Sequence, residues 1–242
     1  MNRLSPLNLL LFAATLGLSA LGCQSGGVGD PCTPEDEYRQ VFNGYAVTEV
    51  NVESKSFQCE TRVCIVNHFQ GRVSCPYGQT QDILDSGATP KPPTDTARCR
   101  IPGTNGKHCL DASGKQSTDC PADGSGTNID EITVPVDSQF VARSAQDTVY
   151  CSCRCAGPDP AAKYCECPSG YACSELVREL GLPGKAELAG SYCVKNGTIY
   201  DPQGTIQSET CASEAEAIKN TGKPVQTKYN VEQVCGPLGQ NP

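Results

Sequence analysis

Seventeen cysteines in a chain of 242 residues set the terms on which this polypeptide can fold. Usage this dense belongs to an oxidising compartment, where neighbouring thiols become disulfides. The chain needs such links. It has no Trp, 6% aromatic residues, and 24 Gly with 18 Pro, so its apolar core is thin and its unfolded state is rich in conformational entropy. A bridge closing a 15-residue loop stabilises by about 3 kcal/mol in the chain-entropy model, and by less where the loop is already constrained. An odd cysteine count in an exported chain asks for one cysteine with a separate fate.

The amino terminus offers one. Asn2 and Arg3 with the terminal amine make a short positive end, the run from Leu7 to Leu18 is apolar, and Ser19-Ala20-Leu21-Gly22 leads to Cys23. The apolar run falls short of the roughly 20 residues that a bilayer span requires, so 1–22 reads as a cleaved export signal. Ala20-Leu21-Gly22-Cys23 resembles the lipobox of bacterial lipoproteins, with Ala20 where most members carry Leu. That resemblance implies cleavage before Cys23 and acylation of both its sulfur and its new amino terminus. Gln24, rather than Asp, after the cysteine implies the outer membrane. The alternative is an ordinary secretory signal cut after Ala20, which leaves Cys23 a plain thiol. Two or more acyl chains hold a protein stably at a membrane, where one does so only marginally. With Cys23 set aside, the remaining sixteen are expected in disulfides: Cys32, Cys59, Cys64, Cys75, Cys99, Cys109, Cys120, Cys151, Cys153, Cys155, Cys165, Cys167, Cys173, Cys193, Cys211 and Cys235.

Beyond the signal, 23–31 reads as a lipid-anchored tether, flexible through Ser25-Gly26-Gly27-Val28-Gly29-Asp30. In the module 32–84, Thr33-Pro34-Glu35-Asp36-Glu37 predicts a short helix with Thr33 as N-cap, Pro34 at its first position and acids in its first turn. Tyr38, Val41 and Phe42 form its expected apolar face, and Asn43-Gly44 ends it. A strand is expected through 46–52, then a hairpin pairing 62–67 with 71–75. Cys32, Cys59, Cys64 and Cys75 make an even group that can close this module on itself. Residues 85–128, rich in Gly, Pro, Ser, Thr and Asp, predict an irregular linker stapled through Cys99, Cys109 and Cys120.

The module 129–242 turns strand-like again over 132–136, 140–142 and 148–150, and Cys151-Ser152-Cys153-Arg154-Cys155 continues the last of these. Alternate residues of a strand share a face, so these three thiols are expected to point one way, as are Cys165 and Cys167. The two rows predict cross-bridges between segments. Ser174 to Gly181 predicts a capped two-turn helix. Asn196-Gly197 between apolar runs predicts a hairpin, and this turn reading outweighs the glycosylation sequon that Thr198 completes. Ser213-Glu214-Ala215-Glu216 predicts a capping box opening a helix to about Asn220, with Gly222 beyond it. The expected class is mostly β with short peripheral helices, built as small disulfide-rich modules.

Signals for chemistry are thin. Cys151, Cys153, Cys155, Cys165 and Cys167 could hold a soft metal as thiolates, yet no Cys-x-x-Cys pair occurs, and an oxidising compartment favours bridges, so no metal or other cofactor is expected. His68 and His108 are far apart in sequence. Cys165-Glu166-Cys167-Pro168-Ser169-Gly170-Tyr171 resembles the last part of an EGF-like module and implies a small stapled turn. Asp123, Ser125, Asn128, Asp130 and Glu131 offer oxygens but lack the Gly and Glu positions of an EF-hand, so a solvated loop is expected. Ile83-Leu84-Asp85-Ser86-Gly87-Ala88 looks like the active-site turn of aspartic proteases, which need two carboxylates sharing a proton. One copy would demand a homodimer, and Pro90-Lys91-Pro92-Pro93 follows where that family has a strand. The common hydrolase and nucleotide-binding signatures are absent. A net charge of −8 argues against nucleic acid as a partner.

Gly29-Asp30-Pro31-Cys32, Cys151 to Cys155, Tyr164 to Cys173 and Leu188-Ala189-Gly190-Ser191-Tyr192-Cys193 together resemble Cys-rich lipoproteins of myxobacterial-type gliding soil bacteria. The resemblance implies a location at the envelope and no particular mechanism. The expectation is a non-catalytic envelope lipoprotein held at the membrane by its lipid, binding or supporting an envelope protein or surface polymer. Its alternatives are a homodimeric aspartic-type protease using Asp85 and a thiolate metal-binding protein.

Overall fold

A computed structural model describes residues 26–85, 98–104, 108–110, 115–118, 127–178, 188–202, 209–225 and 228–236. In chain order its strands are β1 (Val50–Glu53), β2 (Val63–Asn67), β3 (Cys109–Leu110), β4 (Gln116–Ser117), β5 (Thr127–Asn128), β6 (Val149–Ser152), β7 (Arg154–Ala156), β8 (Tyr171–Val177) and β9 (Gly190–Lys195). Its helices are α1 (Gln81–Asp85), α2 (Ala145–Thr148), α3 (Cys211–Thr221) and α4 (Val231–Cys235). The strands form three antiparallel sheets of three, ordered β1-β2-β6, β4-β3-β5 and β7-β9-β8. The expected class, mostly β with a few short helices and many bridges, is the one observed. No helix among the described residues is long and apolar enough to cross a membrane.

β2 explains the first sheet. It is rich in β-branched residues and buried from Cys64 onward, which suits a central strand covered on both faces. Its register sets Cys64 against Cys151, Ile65 against Tyr150 and Val66 against Val149. Alternation then divides the strand between two cores. Cys64 and Val66 join Cys32, Tyr45, Cys59, Phe69, Val149 and Cys151 on one side. Ile65 joins Tyr150 and Tyr192 on the other, and so packs the first sheet against β9. Two smaller clusters complete the interior: Cys75, Cys99, Ile132 and Val136, and Val141, Cys211, Val231 and Cys235 beneath α3 and α4.

Seven bridges join described residues: Cys32–Cys64, Cys59–Cys151, Cys75–Cys99, Cys153–Cys165, Cys155–Cys173, Cys167–Cys193 and Cys211–Cys235. Cys109 is also disulfide-bonded, while Cys23 and Cys120 lie outside the described residues. The amino-terminal group of four does not close on itself. Only Cys32–Cys64 is internal to it, because β2 takes β6 as neighbour and brings Cys59 to Cys151.

Several local expectations give way to the tertiary pairing. The segment from Gly26, read as a free tether, is docked on the open edge of β6: the amide of Gly29 donates to the carbonyl of Cys151 and that of Cys151 to Asp30, both at 2.8 Å. An uncovered strand edge needs such partners. The helix expected after Thr33 is a single 3₁₀ turn, Glu35–Tyr38, without a side-chain cap, and it leaves Tyr38 and Val41 exposed while Phe42 packs inward. Residues 71–75 do not pair with β2, whose two edges are taken by β1 and β6. Between 129 and 142 lone bridges replace the expected strands, at Glu131, Val136 and Phe140. Ser174 to Val177 is strand, not helix, since it fills the free edge of β9. The Asn196-Gly197 turn forms, with Gly197 at φ 83°, but no return strand follows: β7 and β8 already occupy both sides of β9. α3 begins three residues early on a Thr210–Ser213 capping box and ends, as expected, before left-handed Gly222.

Candidate functional site

The triplet Cys151, Cys153, Cys155 shows how local order becomes site geometry. The strand breaks at Cys153, so Cys151 belongs to β6 and the first core, whereas Cys155 lies on β7 in the third sheet. The three thiols therefore do not share one row. Cys153 and Cys155 turn to Cys165 and Cys173, and Cys167 reaches Cys193 on β9. The result is three bridges packed against one another. The Sγ of Cys193 lies 3.6 Å from that of Cys153 and 3.8 Å from that of Cys165. The Sγ atoms of Cys155, Cys167 and Cys173 all lie within 4.8 Å of one another, as do those of Cys32, Cys59 and Cys151. Each of these groupings contains a bonded pair, and a disulfide sulfur is not the thiolate that zinc or copper(I) binds. The Pro168-Ser169-Gly170 turn between them is the small stapled turn expected there, with Gly170 at φ 89°.

A second feature went unseen in the sequence. A cleft of about 300 Å³ opens between the first core and α4. Pro31, Cys32, Val73 and Val149 form one wall, and Val234, Cys235 and Gly236 the other, with Gln139 among the lining residues. Gln139 is 1% exposed. Its backbone amide donates to Pro76 at 3.0 Å, its carbonyl accepts from Cys211 at 2.9 Å, and its Nε2 donates to the carbonyl of Arg72 at 2.7 Å. Oε1 is buried without a hydrogen-bond partner. An apolar recess with few polar groups is the usual form of a binding site. Nothing in Ser138-Gln139-Phe140 announces this, because the cleft is assembled from segments more than a hundred residues apart.

Beneath that cleft lies a buried charge network. Glu37 and Arg72 are both fully buried, 3.3 Å apart. Glu37 accepts from the amide of Val73 at 2.7 Å and from the Ser74 hydroxyl at 2.6 Å, and Arg72 donates to the carbonyls of Phe42 at 2.9 Å, Arg39 and Glu37. Burial pulls the Arg72 guanidinium down from its usual range, and Glu37 opposes this. Arg143 is buried as well and donates to the carbonyls of His68, Asn67 and Thr198. It thereby ties the end of β2 to the Asn196-Gly197 turn.

The remaining sequence candidates are placed apart. Asp85 ends α1 on the surface, where Gln81 Nε2 donates to its Oδ1 at 2.8 Å; the rest of its motif, from Ser86, lies outside the described residues. His68 stacks on Tyr200 at 4.1 Å and meets the carbonyl of Val47 through Nδ1, with its pKa lowered by burial. His108 Nδ1 lies 2.8 Å from Asp130 Oδ2, and Glu131 pairs with Arg98 at 3.1 Å, so two of the carboxylates considered for calcium are engaged by local side chains. Asp123 and Ser125 lie outside the described residues. Compared with protein-family models, curated proteins and solved structures, the chain matches none of the three.

Proposed function

We propose that this protein is a lipid-anchored envelope lipoprotein of the outer membrane, without catalytic activity, whose cross-linked body binds an envelope protein or surface polymer through the cleft beside α4. Cysteine parity carries the reading. All fifteen described cysteines are disulfide-bonded; seven bridges hold fourteen of them, and Cys109 takes a further partner. One cysteine of seventeen is left over, and Cys23 sits in the lipobox-like stretch. The docked amino-terminal segment supports an anchored geometry. Gly26 is hydrogen-bonded to Gln58 and Glu60, so the chain from Cys23 to the body can span at most about 10 Å. A body held so near its bilayer meets partners at that surface.

Intact mass of protein purified from membranes, before and after reduction and alkylation, tests the anchor and the frame together. The expected result is a mature chain beginning at acylated Cys23 with sixteen sulfhydryls that appear only on reduction. An unacylated amino terminus overturns the anchor. Capture from solubilised envelopes tests the cleft: Val234→Lys should abolish partner capture while leaving the thermal unfolding midpoint close to that of the parent. Undiminished capture overturns the binding site, and hydrolytic activity of the purified protein without any partner overturns the non-catalytic reading.

A further inference from the structure

The three neighbouring bridges of the third sheet have a property that stapling alone does not require. Cys167–Cys193 lies beside both of the others: at its Cys167 end the Sγ atoms of Cys155 and Cys173 are within 4.8 Å, and at its Cys193 end those of Cys153 and Cys165 are 3.6 and 3.8 Å away. All six sulfurs are bonded in pairs, so these short approaches are contacts between different disulfides. Exposure is greatest at the Cys155–Cys173 end. Cys173 is open to solvent, Cys155, Cys165 and Cys167 are half-buried, Cys153 is 5% exposed and Cys193 fully buried. Moreover, Cys173 and Cys193 face each other in register on β8 and β9, although neither is bonded to the other. Facing strand residues have Cα separations of about 4.5–5.5 Å, inside the range that a disulfide accepts. A second pairing is thus available with the backbone unchanged.

We propose that Cys155–Cys173, Cys167–Cys193 and Cys153–Cys165 form a thiol–disulfide exchange site that takes an external dithiol at its exposed end and relays the exchange inward. The external thiolate attacks Cys173 Sγ, forming a mixed disulfide and releasing Cys155 as thiolate. The second thiol of the dithiol then attacks the mixed disulfide, releasing Cys173 and closing its own disulfide. The dithiol is oxidised by two electrons, the Cys155–Cys173 pair is reduced by two, and two protons pass from one to the other. Cys155 or Cys173 next attacks Cys167 Sγ; one S–S bond forms, Cys167–Cys193 breaks, and Cys193 leaves as thiolate. Cys193 in turn attacks Cys153 or Cys165, both in contact with it, and expels the other. These inner steps move the free thiols without net oxidation. The substrate class is a small or protein-borne dithiol, and this site is independent of the cleft and of the lipid anchor.

The oxidised full-length protein is treated with one molar equivalent of dithiothreitol, quenched by acid, labelled with N-ethylmaleimide and mapped by mass spectrometry. Label is expected on the buried members of the six, Cys153 or Cys193, together with new pairings such as Cys155–Cys167 or Cys153–Cys193. Cys32, Cys59, Cys64, Cys151, Cys211 and Cys235 should stay unlabelled. With Cys155→Ala and Cys173→Ala together, labelling of Cys153 and Cys193 should become about tenfold slower, because access governs the first attack. Label confined to Cys155 and Cys173 with no new pairing, label spread over every bridge of the molecule, or an unchanged rate in the double variant would each overturn the proposal.

Discussion

Glu37 and Arg72 illustrate what a single buried charge does in a molecule with little core. Each satisfies the other and a set of backbone groups, so the 3₁₀ turn of Glu35–Tyr38 is bolted to residues 72–74 rather than packed on them. Glu37→Gln keeps the shape and removes the charge, leaving Arg72 buried and unpaired; the expected loss is about 3–5 kcal/mol, measured by denaturant unfolding without reductant. Arg39→Ala, whose partner Asp36 is solvent-exposed, should change stability by less than about 1 kcal/mol. Tyr150 and His68 each contribute to the pH dependence. Burial pushes Tyr150 from 10.0 up to about 12, so its contribution is fully present below pH 10 and lost as pH rises through about 12. Burial lowers His68 below 6.5, so its contribution is present above 6.5 and lost as pH falls through its lower folded value. Tyr150→Phe should therefore soften the alkaline decline of the unfolding midpoint and His68→Phe the acid one.

At the scale of elements, pairing decides more than propensity. Ser174 to Val177 has the composition of a helix start, yet β9 offers an open edge there and Cys173 is bonded to Cys155 on β7, so the segment extends. The Asn196-Gly197 turn was legible because its chemistry is local, whereas the missing return strand was not, because it depends on β7 and β8 reaching β9 first. The same division holds for the sulfur. That nearly every cysteine would be oxidised was readable from their number; that Cys151 and Cys153 would part company depends on a strand break between two adjacent cores. Gln139 and its cleft left no trace in the sequence, since the walls come from distant segments. Removing Cys59–Cys151 by paired serine substitution tests how far one element relies on one bridge. It frees a 92-residue loop, for which the chain-entropy model gives about 4.5 kcal/mol, less what Cys32–Cys64 already restrains. Paired substitution of Cys211 and Cys235, which close 24 residues around α3 and α4, should cost about 3 kcal/mol and leave hydrogen-exchange protection of β2 unchanged.

Over the whole molecule, three of the four apolar clusters contain a cystine, so hydrophobic burial and covalent linkage occupy the same places. The link from Cys59 to Cys151 also has a bearing on biogenesis. On the proposed export route, a polypeptide threaded outward amino terminus first would deliver Cys32, Cys59 and Cys64 to the oxidant well before Cys151 emerges. Joined in order of arrival, Cys59 would be captured by a wrong neighbour and the central strand could not receive β6. Maturation along that route would have to wait for the late residues or undo early errors, and the yield in a secreting host should rise with the supply of a disulfide isomerase.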